Sequence, residues 1–229
     1  MTLARRVTAE ALGTALLLAV AVGSATMADR LAGGNTALAL LANSLASGLG
    51  LLALILTFGS ISGAHFNPAL TLSEAWQGGM DWRETLPYIT AQILGAFAGV
   101  AAAHAMFGEP AFAAATQART GAGQWWSEFV ATFGLIAVIG GCTRSRPALA
   151  PFAVAAYIVS AYWFTASSSF ANPALTLARA ATNTVAGIRF EDVSGYVAAQ
   201  LLGMIAATVV MTWLHSPVAA PAFKPVPPP

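Results

Sequence analysis

The chain has 229 residues, of which 57% are hydrophobic and 8% are charged, and its net charge is +1. A soluble domain carries about 25% charged residues, so this composition excludes an ordinary water-soluble protein and favours a membrane protein. The near-zero net charge points to neither nucleic acid nor an acidic partner, and the lone Cys142 excludes a disulfide framework. The histidines have no metal-ligand spacing, so neither a metal nor a cofactor is expected.

Long uncharged segments along the chain predict membrane-spanning helices. A helix needs about 20 apolar residues to cross the hydrocarbon core, and these segments are too rich in alanine, leucine and glycine for barrel strands. Arg5 and Arg6 precede the first apolar run as in a signal peptide, but further runs follow, so we interpret it as the first span. The predicted helices are residues 8–28, 37–58, 85–106, 127–142, 148–166 and 194–214.

Two of the uncharged segments are too long for a single span, and both contain the same hexapeptide. The sequence Asn-Pro-Ala-Leu-Thr-Leu occurs at residues 67–72 and again at 172–177. Asparagine is a preferred N-cap and proline is favoured in the first turn, so each copy predicts a short helix, at 67–76 and 172–182. Each helix is about 15 Å long, which is half the thickness of the bilayer core.

The hexapeptide belongs to an internal repeat of the whole chain. Two further pairs of segments resemble each other in the two halves: residues 9–14 with 127–132, and 91–95 with 199–203. We predict a first repeat over residues 1–115, a second over 116–216 and a disordered proline-rich tail at 217–229. Each repeat has three full spans, an odd number, so the second is inverted relative to the first. The fold class is an all-α membrane protein with an inverted-topology repeat, in which two re-entrant half-helices enter from opposite faces.

The positions of arginine and lysine indicate an orientation. With a cytoplasmic N-terminus, the inner face holds Arg5, Arg6, Arg83, Arg144, Arg146 and Lys224. The outer face then holds the smaller set of Arg30, Arg119, Arg179 and Arg189. Cytoplasmic loops carry an excess of basic residues, so we expect both termini on the cytoplasmic side of the cell (inner) membrane.

The Asn-Pro-Ala segments have the properties of a pore. Non-helical backbone at mid-membrane depth is tolerated only inside protein or beside a water-filled cavity. The residues before each asparagine are rich in glycine and serine, and their carbonyls form a row of acceptors. Two positive helix ends point at the centre of this path, where Asn67 and Asn172 add amide donors. One Asn-Pro is usually a turn, but two identical copies at matched positions favour a pore.

These motifs resemble those of the aquaporins, the major intrinsic protein family. Residues 63–71 closely resemble the first signature of the family, and the similarity extends over about residues 5–215. The resemblance implies six helices and two half-helices per protomer, a homotetramer, and a pore in each protomer that passes water or small neutral solutes and excludes protons. The pore motif residues are then Asn67, Pro68, Ala69, Asn172, Pro173 and Ala174.

The chain departs from the family pattern after its second Asn-Pro-Ala, where Leu175 stands in place of the usual arginine. By offset from the asparagines, the resemblance assigns the other positions of the outer selectivity filter to Ser47, Ser160 and Ser169. None of these four filter residues is aromatic or charged. The resemblance thus implies a wide filter of a bacterial aquaglyceroporin type, for glycerol-like polyols, urea or trihydroxy metalloids such as arsenous acid. Arg179, one turn later, either extends outward or partly replaces the missing charge.

The repeat and the resemblance also assign roles to several other polar residues. Glu10 and Glu128 occupy matching positions, and an unpaired intramembrane carboxylate is costly. The resemblance implies that they accept hydrogen bonds from backbone N–H groups of the re-entrant segments; the simple alternative is an interfacial residue at a helix start. Gln92 and Gln200 also match and are expected to bond to these segments. His65 is expected to line the pore, or else to be a hydrogen-bonded core histidine.

Two other functional classes fit the sequence less well than a channel does. An inverted-repeat secondary transporter needs an ion-coupling site, and no acidic residue adjoins either Asn-Pro-Ala. An intramembrane hydrolase needs a serine–histidine or carboxylate pair, for which His65 is the one candidate base, and no nucleophile elbow is visible. We therefore expect a channel and not an enzyme, with the transporter as the alternative that a flux measurement must exclude.

Overall fold

The computed structural model describes residues 1–216, so the predicted tail at 217–229 lies outside the described residues. The α-helices in the described part are Leu3–Leu31 (α1), Thr36–Ser62 (α2), Pro68–Trp76 (α3), Trp82–Phe107 (α4), Ala122–Ser145 (α5), Ala150–Phe164 (α6), Pro173–Ala178 (α7) and Phe190–Leu214 (α8). Short 3-10 turns precede α6, at Pro147–Leu149, and follow α7, at Arg179–Ala181.

Six of these elements are long and apolar enough to cross a membrane: α1, α2, α4, α5, α8, and α6 together with its preceding turn. They correspond to the six predicted spans, and several begin earlier than predicted because capping residues outside the apolar runs start them. The Thr2 side chain accepts a hydrogen bond from the backbone N–H of Arg5, and Asp81 does the same for Arg83. The chain is a multi-pass, all-α membrane protein.

The two predicted half-helices are α3 and α7, and the second is shorter than expected. The prediction was an α-helix over residues 172–182, whereas α7 ends at Ala178 and continues as the 3-10 turn. The physical reason lies in the loop between α4 and α5. Backbone N–H groups of that loop bond to the carbonyls of Ala180 and Ala181, at 3.1 and 2.9 Å, so these carbonyls do not continue the helical ladder.

The order of the helices places α3 and α7 on opposite sides of the molecule. The Arg6–Glu84 ion pair joins the starts of α1 and α4 at one end, which we call the N-terminal face. The Arg30–Glu109 ion pair ties the end of α1 to the residues that follow α4 at the other end, which we call the opposite face. α3 runs from the centre toward the N-terminal face and α7 toward the opposite face, as an inverted repeat requires.

Glycines allow the long helices to pack closely within each half. A Cβ atom on Gly95 of α4 would lie 2.3 Å from the carbonyl oxygen of Ala11 in α1. In the second half, a Cβ atom on Gly203 of α8 would lie 2.4 Å from the carbonyl oxygen of Phe129 in α5. Small residues at such crossings are typical of membrane helices. The close contact of α1 with α4 is therefore repeated by that of α5 with α8. The two halves meet around the half-helices α3 and α7.

Candidate functional site

The segments that precede α3 and α7 reach the centre through left-handed backbone conformations. Ala64 and Phe66 have φ angles of 51° and 49°, and Ser168, Ser169 and Ala171 have φ angles of 60°, 51° and 49°. Such angles cost roughly 1–2 kcal/mol for a residue with a side chain, because the Cβ atom approaches the following carbonyl oxygen. Strain at corresponding positions of both halves must be held by surrounding contacts.

A buried carboxylate holds the first segment. Glu10 is fully buried in α1. Its Oε1 accepts hydrogen bonds from the His65 backbone N–H at 3.0 Å and the Ser62 hydroxyl at 2.6 Å. Its Oε2 accepts from the Phe66 backbone N–H at 2.7 Å and the Gln92 amide at 2.8 Å. These charge-assisted bonds tie the segment to α1 and α4.

Glu128 of α5 makes the corresponding contacts in the second half. It is also fully buried, so neither carboxylate is an interfacial residue. Its Oε1 accepts from the backbone N–H of Phe170 and its Oε2 from that of Ala171, each at 2.8 Å. The Gln200 amide donates to the same Oε2 at 2.6 Å. The matching positions of the two glutamates in the sequence repeat thus correspond to matching geometry.

Each network includes a threonine that the sequence argument did not identify. The amide of Gln92 also donates to Thr71 Oγ1 at 2.9 Å, and that of Gln200 donates to Thr176 Oγ1 at 2.8 Å. Both threonines are the fifth residue of the repeated Asn-Pro-Ala-Leu-Thr-Leu sequence. Their recurrence within the hexapeptide was the signal that could have found them.

The two asparagines bond across the centre of the molecule. Nδ2 of Asn67 donates to the carbonyl of Ala171 at 2.8 Å, and Nδ2 of Asn172 donates to the carbonyl of Phe66 at 2.7 Å. Each Oδ1 caps its own half-helix, accepting from Ala69 in the first and from Ala174 and Leu175 in the second. An amide nitrogen carries two hydrogens, so each asparagine keeps one N–H group that these contacts do not use.

A cavity of about 260 Å³ runs past both asparagines. Toward the N-terminal face it is lined by Thr143, Pro147 and Pro151, and toward the opposite face by Ser47 and Leu175. The other lining residues come from α1, α2, α5 and α6, whose side chains here are largely apolar, and from the segments around the two asparagines. Among the described residues, His65 is the one acidic or basic side chain in the lining. Such a path offers hydrogen bonds to a neutral solute at few positions along an otherwise apolar wall.

His65 is one of the residues that line this cavity. Its Nδ1 lies 3.1 Å from Thr71 Oγ1, and its ring centroid lies 5.5 Å from that of Tyr88. His65 thus lines the cavity and also has a hydrogen-bond partner. The bond to Thr71 fixes the ring against the first half-helix.

Three of the four residues assigned to the selectivity filter line the cavity. Ser47 and Ser169 are both buried, and Leu175 lies beside them on the first turn of α7. The hydroxyl of Ser169 has no hydrogen-bond partner among the described residues. The hydroxyl of Ser47 accepts a hydrogen bond from Tyr162 at 3.0 Å. Both serine hydroxyls can therefore donate to a solute oxygen.

The fourth assigned residue, Ser160, is not at the cavity. It is exposed, and its hydroxyl donates to the carbonyl of Ala156 at 2.9 Å. The residues of α6 that line the cavity include Val154, Ile158 and Tyr162, which recur every fourth residue along one side of the helix. Ser160 lies about 200° around the helix axis from its neighbours on that side. The prediction placed Ser160 by its distance along the sequence from Asn172. That distance does not show which side of α6 a residue faces.

Tyr162 is the residue of α6 that lines the cavity next to Ser47, so an aromatic side chain stands beside the positions for which none was expected. Its hydroxyl bonds to Ser47, so it presents a fixed edge at this end of the cavity. The signal that could have found it is the helical periodicity of α6, in which Val154, Ile158 and Tyr162 share one side.

A second, smaller cavity of about 160 Å³ opens toward the opposite face, and Tyr162 lines both. Arg179 and Arg119 line the second cavity together with Asp29, Asn43 and Ser168. Arg179 neither extends to solvent nor reaches the main cavity, because it is buried with its guanidinium 3.5 Å from the centroid of the Phe170 ring.

Comparison with known proteins matches this arrangement to one family. The sequence profile of the family described as Major intrinsic protein matches residues 1–164. Aquaglyceroporin AqpS of Rhizobium meliloti (strain 1021) is 50% identical over 94% of this chain and 92% of its own length. Probable aquaporin AqpM of Archaeoglobus fulgidus is 32% identical over 94% of this chain and 97% of its own.

A solved structure shows the same fold at lower identity. The X-ray structure of the aquaglyceroporin from Plasmodium falciparum superposes with a TM-score of 0.67 and 21% identity, covering 93% of this chain and 96% of that one. At this identity the likeness concerns the arrangement of helices and half-helices, which agrees with the one described above.

Proposed function

The chain belongs to the major intrinsic protein family of membrane channels, and on this premise we propose that it is an aquaglyceroporin-type pore for small neutral solutes and water. The solutes that fit the proposal are glycerol-like polyols, urea and trihydroxy metalloids such as arsenous acid. The high identity to a relative named as an aquaglyceroporin, over nearly the full length of both chains, supports the choice of solute class.

One observation carries the proposal: Leu175 lies at the end of the main cavity where a guanidinium would otherwise narrow and charge the path. Arginine is planar, always charged and rich in N–H donors, whereas leucine offers only an apolar surface. The hydroxyls of Ser47 and Ser169 remain to donate to a solute with several oxygens, while that of Tyr162, which donates to Ser47, can accept a hydrogen bond. A polyol or urea can use such donors and also contact the apolar wall.

The residues around the asparagines support passive flux with cations excluded. Each half-helix directs the positive end of its dipole at the centre, which is roughly half an elementary charge. The unused N–H groups of Asn67 and Asn172 add donors but no acceptors at this point. A cation therefore meets unfavourable potential there, while a neutral solute with oxygen acceptors does not.

The cavity lining gives no support to the transporter alternative. Unwound carbonyls are present, as in an ion-coupled transporter, but among the described residues neither Asp nor Glu lines the main cavity to balance the charge of a coupled ion. A channel also predicts flux that rises linearly with the solute gradient, whereas a transporter saturates.

The experiment that tests the function is stopped-flow light scattering of purified protein in liposomes, with gradients of water, glycerol, urea and arsenous acid. We expect accelerated, non-saturating permeation of water and of at least one of the three solutes, compared with protein-free liposomes. Permeation of water alone would contradict the proposed solute class, and saturating or ion-dependent flux would contradict the channel.

We also propose that the protein assembles as a homotetramer in the cell membrane with both termini cytoplasmic. The basic residues at the N-terminal face outnumber those at the opposite face, which supports the orientation. Large apolar side chains cover the outward surfaces of α1 and α2, including Leu12, Leu16, Leu45 and Leu49, and these surfaces suit contact with lipid or with another protomer.

A further inference from the structure

We propose that the cavity at the opposite face is a binding site for a small oxyanion, and that a bound anion obstructs the pore from that face. The binding site is inferred from two arginines held against one aromatic ring. The obstruction, but not the binding, rests on the proposed channel function.

Arg179 is the central residue of this site. It is 6% exposed, and its guanidinium lies 3.5 Å from the centroid of the Phe170 ring. Its Nε donates to the carbonyl of Ala186, while its two terminal nitrogens have no hydrogen-bond partner among the described residues. It also forms no ion pair with an acidic side chain of residues 1–216. A buried cation with unused donors is unfavourable unless a ligand or solvent completes it.

Arg119 brings a second cation to the same ring. Its guanidinium lies 5.2 Å from the Phe170 centroid. It donates to the carbonyl of Gly187 at 2.8 Å and to that of Val185 at 3.1 Å. The carbonyls of residues 185, 186 and 187 therefore hold both guanidinium groups, and they do so with partial charges only. Two cations against one ring make the local potential positive, which favours a nearby anion.

The acidic residues nearby do not neutralise the pair. Asp192 accepts two hydrogen bonds from the Arg189 guanidinium, at 3.0 and 3.1 Å, and it bonds to Arg119 only through the backbone N–H. Asp29 lines the cavity but is exposed to solvent at the end of α1. Glu128 also lies near Arg179, but its oxygens accept from the backbone N–H groups of Phe170 and Ala171 and from the Gln200 amide. Among the described residues, no acidic side chain therefore forms an ion pair with Arg179 or Arg119.

The shape of the site fits a small oxyanion. The planar fork of a guanidinium matches the oxygen spacing of phosphate or a carboxylate, and such pairs are stronger than bonds between neutral groups. The cavity has a volume of about 160 Å³, and on the same measure a single water molecule needs roughly 10–15 Å³. It therefore has room for one small oxyanion with a few waters.

The anion site lies next to the main cavity, so a bound anion would obstruct solute there. Tyr162 lines both this cavity and the main one, so solute crossing between them passes its hydroxyl. An anion held by Arg179 stands between bulk solvent and this boundary. We expect the obstruction to act from the opposite face and to depend on the concentration of the anion there.

Direct binding is tested first, by equilibrium dialysis of the purified full chain with radiolabelled inorganic phosphate. We expect saturable binding that weakens as chloride is added, and an affinity at least about tenfold lower for Arg179→Met. Arg30→Met is the matched control, because Arg30 also lies at the opposite face but forms an exposed ion pair with Glu109. Its phosphate affinity is expected to equal that of the wild type.

The site would be overturned if the wild type showed no saturable binding, or if Arg179→Met bound phosphate as well as the wild type. Arg119→Gln provides a second variant in case Arg179→Met does not fold, as judged by size-exclusion chromatography. Its phosphate affinity is also expected to fall, and an unchanged affinity would likewise contradict the site.

The obstruction is tested by stopped-flow glycerol or urea flux in proteoliposomes, with and without phosphate outside. We expect phosphate to slow wild-type flux and to leave Arg179→Met flux unchanged. Saturable binding with no effect on flux would overturn the obstruction. A wild type that conducts no solute would instead contradict the proposed function, and the dialysis experiment would still decide the binding site.

Discussion

At the residue scale, the chemistry of the main cavity depends on a few side chains beside the second half-helix. Leu175 adds apolar surface, and Ser169 adds a hydroxyl without a partner among the described residues. Tyr162 limits the width on the α6 side. Each of these side chains can be changed without disturbing the buried glutamates that hold the re-entrant segments.

Leu175→Arg is expected to lower glycerol and urea flux in proteoliposomes by about tenfold or more, while water flux falls much less. The added guanidinium narrows the path and places a fixed charge and several N–H donors in it. Stopped-flow light scattering measures both fluxes on the same preparation. Leu175→Met is the control of similar volume and should behave as the wild type; unchanged solute flux in the arginine variant would contradict the filter assignment.

Glu128→Gln is expected to destabilise the protein by about 2 kcal/mol or more. The carboxylate accepts three hydrogen bonds, two of them from strained backbone, and an amide in its place turns one acceptor into a donor. Unfolding in detergent, followed by tryptophan fluorescence, measures the loss. Glu109→Gln removes an exposed ion pair and should change stability by no more than about 1 kcal/mol. Equal midpoints for the two variants would argue against the bracing role.

At the element scale, the sequence predicts α3 and α7 because their signals are local. Asparagine is a preferred N-cap and proline is favoured in the first turn of a helix, and the remainder of each uncharged segment is too short for another full span. The end of α7 was not predictable in this way, because the carbonyls of Ala180 and Ala181 bond to a loop more than 60 residues away. Ser160 was misplaced for a related reason: an offset along the chain carries no information on helix rotation.

Asn172→Asp is expected to weaken the exclusion of cations. A carboxylate at the start of α7 opposes the positive helix end and removes the Nδ2 donor to Phe66. Cation leak through proteoliposomes with a potassium gradient, read with a voltage-sensitive dye, measures the effect. Asn35→Asp, at the exposed N-cap of α2, is the control, because aspartate caps a helix as well as asparagine does. A variant with wild-type solute flux and no leak would show that the amide does not govern exclusion.

Gly95→Ala is expected to impair folding, since the new methyl group would lie 2.3 Å from the Ala11 carbonyl oxygen in the neighbouring helix. Overpacking of this kind typically costs about 1–3 kcal/mol. Gly59→Ala is the matched control, because no atom of residues 1–216 outside its own helix turn lies within 4 Å of a Cβ atom at that position of α2. Yield and elution volume on size-exclusion chromatography compare the two, and equal behaviour would mean that α1 and α4 can separate at little cost.

At the scale of the whole molecule, an odd number of spans per half fixes the inversion, and the sequence repeat was enough to predict it. The side of the membrane on which each face lies depends instead on a small excess of basic residues. The match between halves extends to contacts that the sequence alone could not supply, such as the pairing of Gln92 with Thr71 and of Gln200 with Thr176.

The orientation is tested with single cysteines in a Cys142→Ser background. Ala37→Cys lies exposed at the opposite face and Ala148→Cys lies exposed at the N-terminal face. We expect a membrane-impermeant maleimide to label the first in intact cells and the second only after the membrane is opened. The reverse pattern would invert the assignment of the two faces.

The crossed bonds of Asn67 and Asn172 have a consequence for the order in which the protein matures. The carbonyl of Phe66 and the amide of Asn67 find their partners at residues 171 and 172, more than 100 positions later in synthesis. Until those residues emerge from the ribosome, the first re-entrant segment has a carboxylate to hold it but nothing to bond at its tip. The two crossed hydrogen bonds at the centre of the bundle therefore form late, after both re-entrant segments have been synthesised.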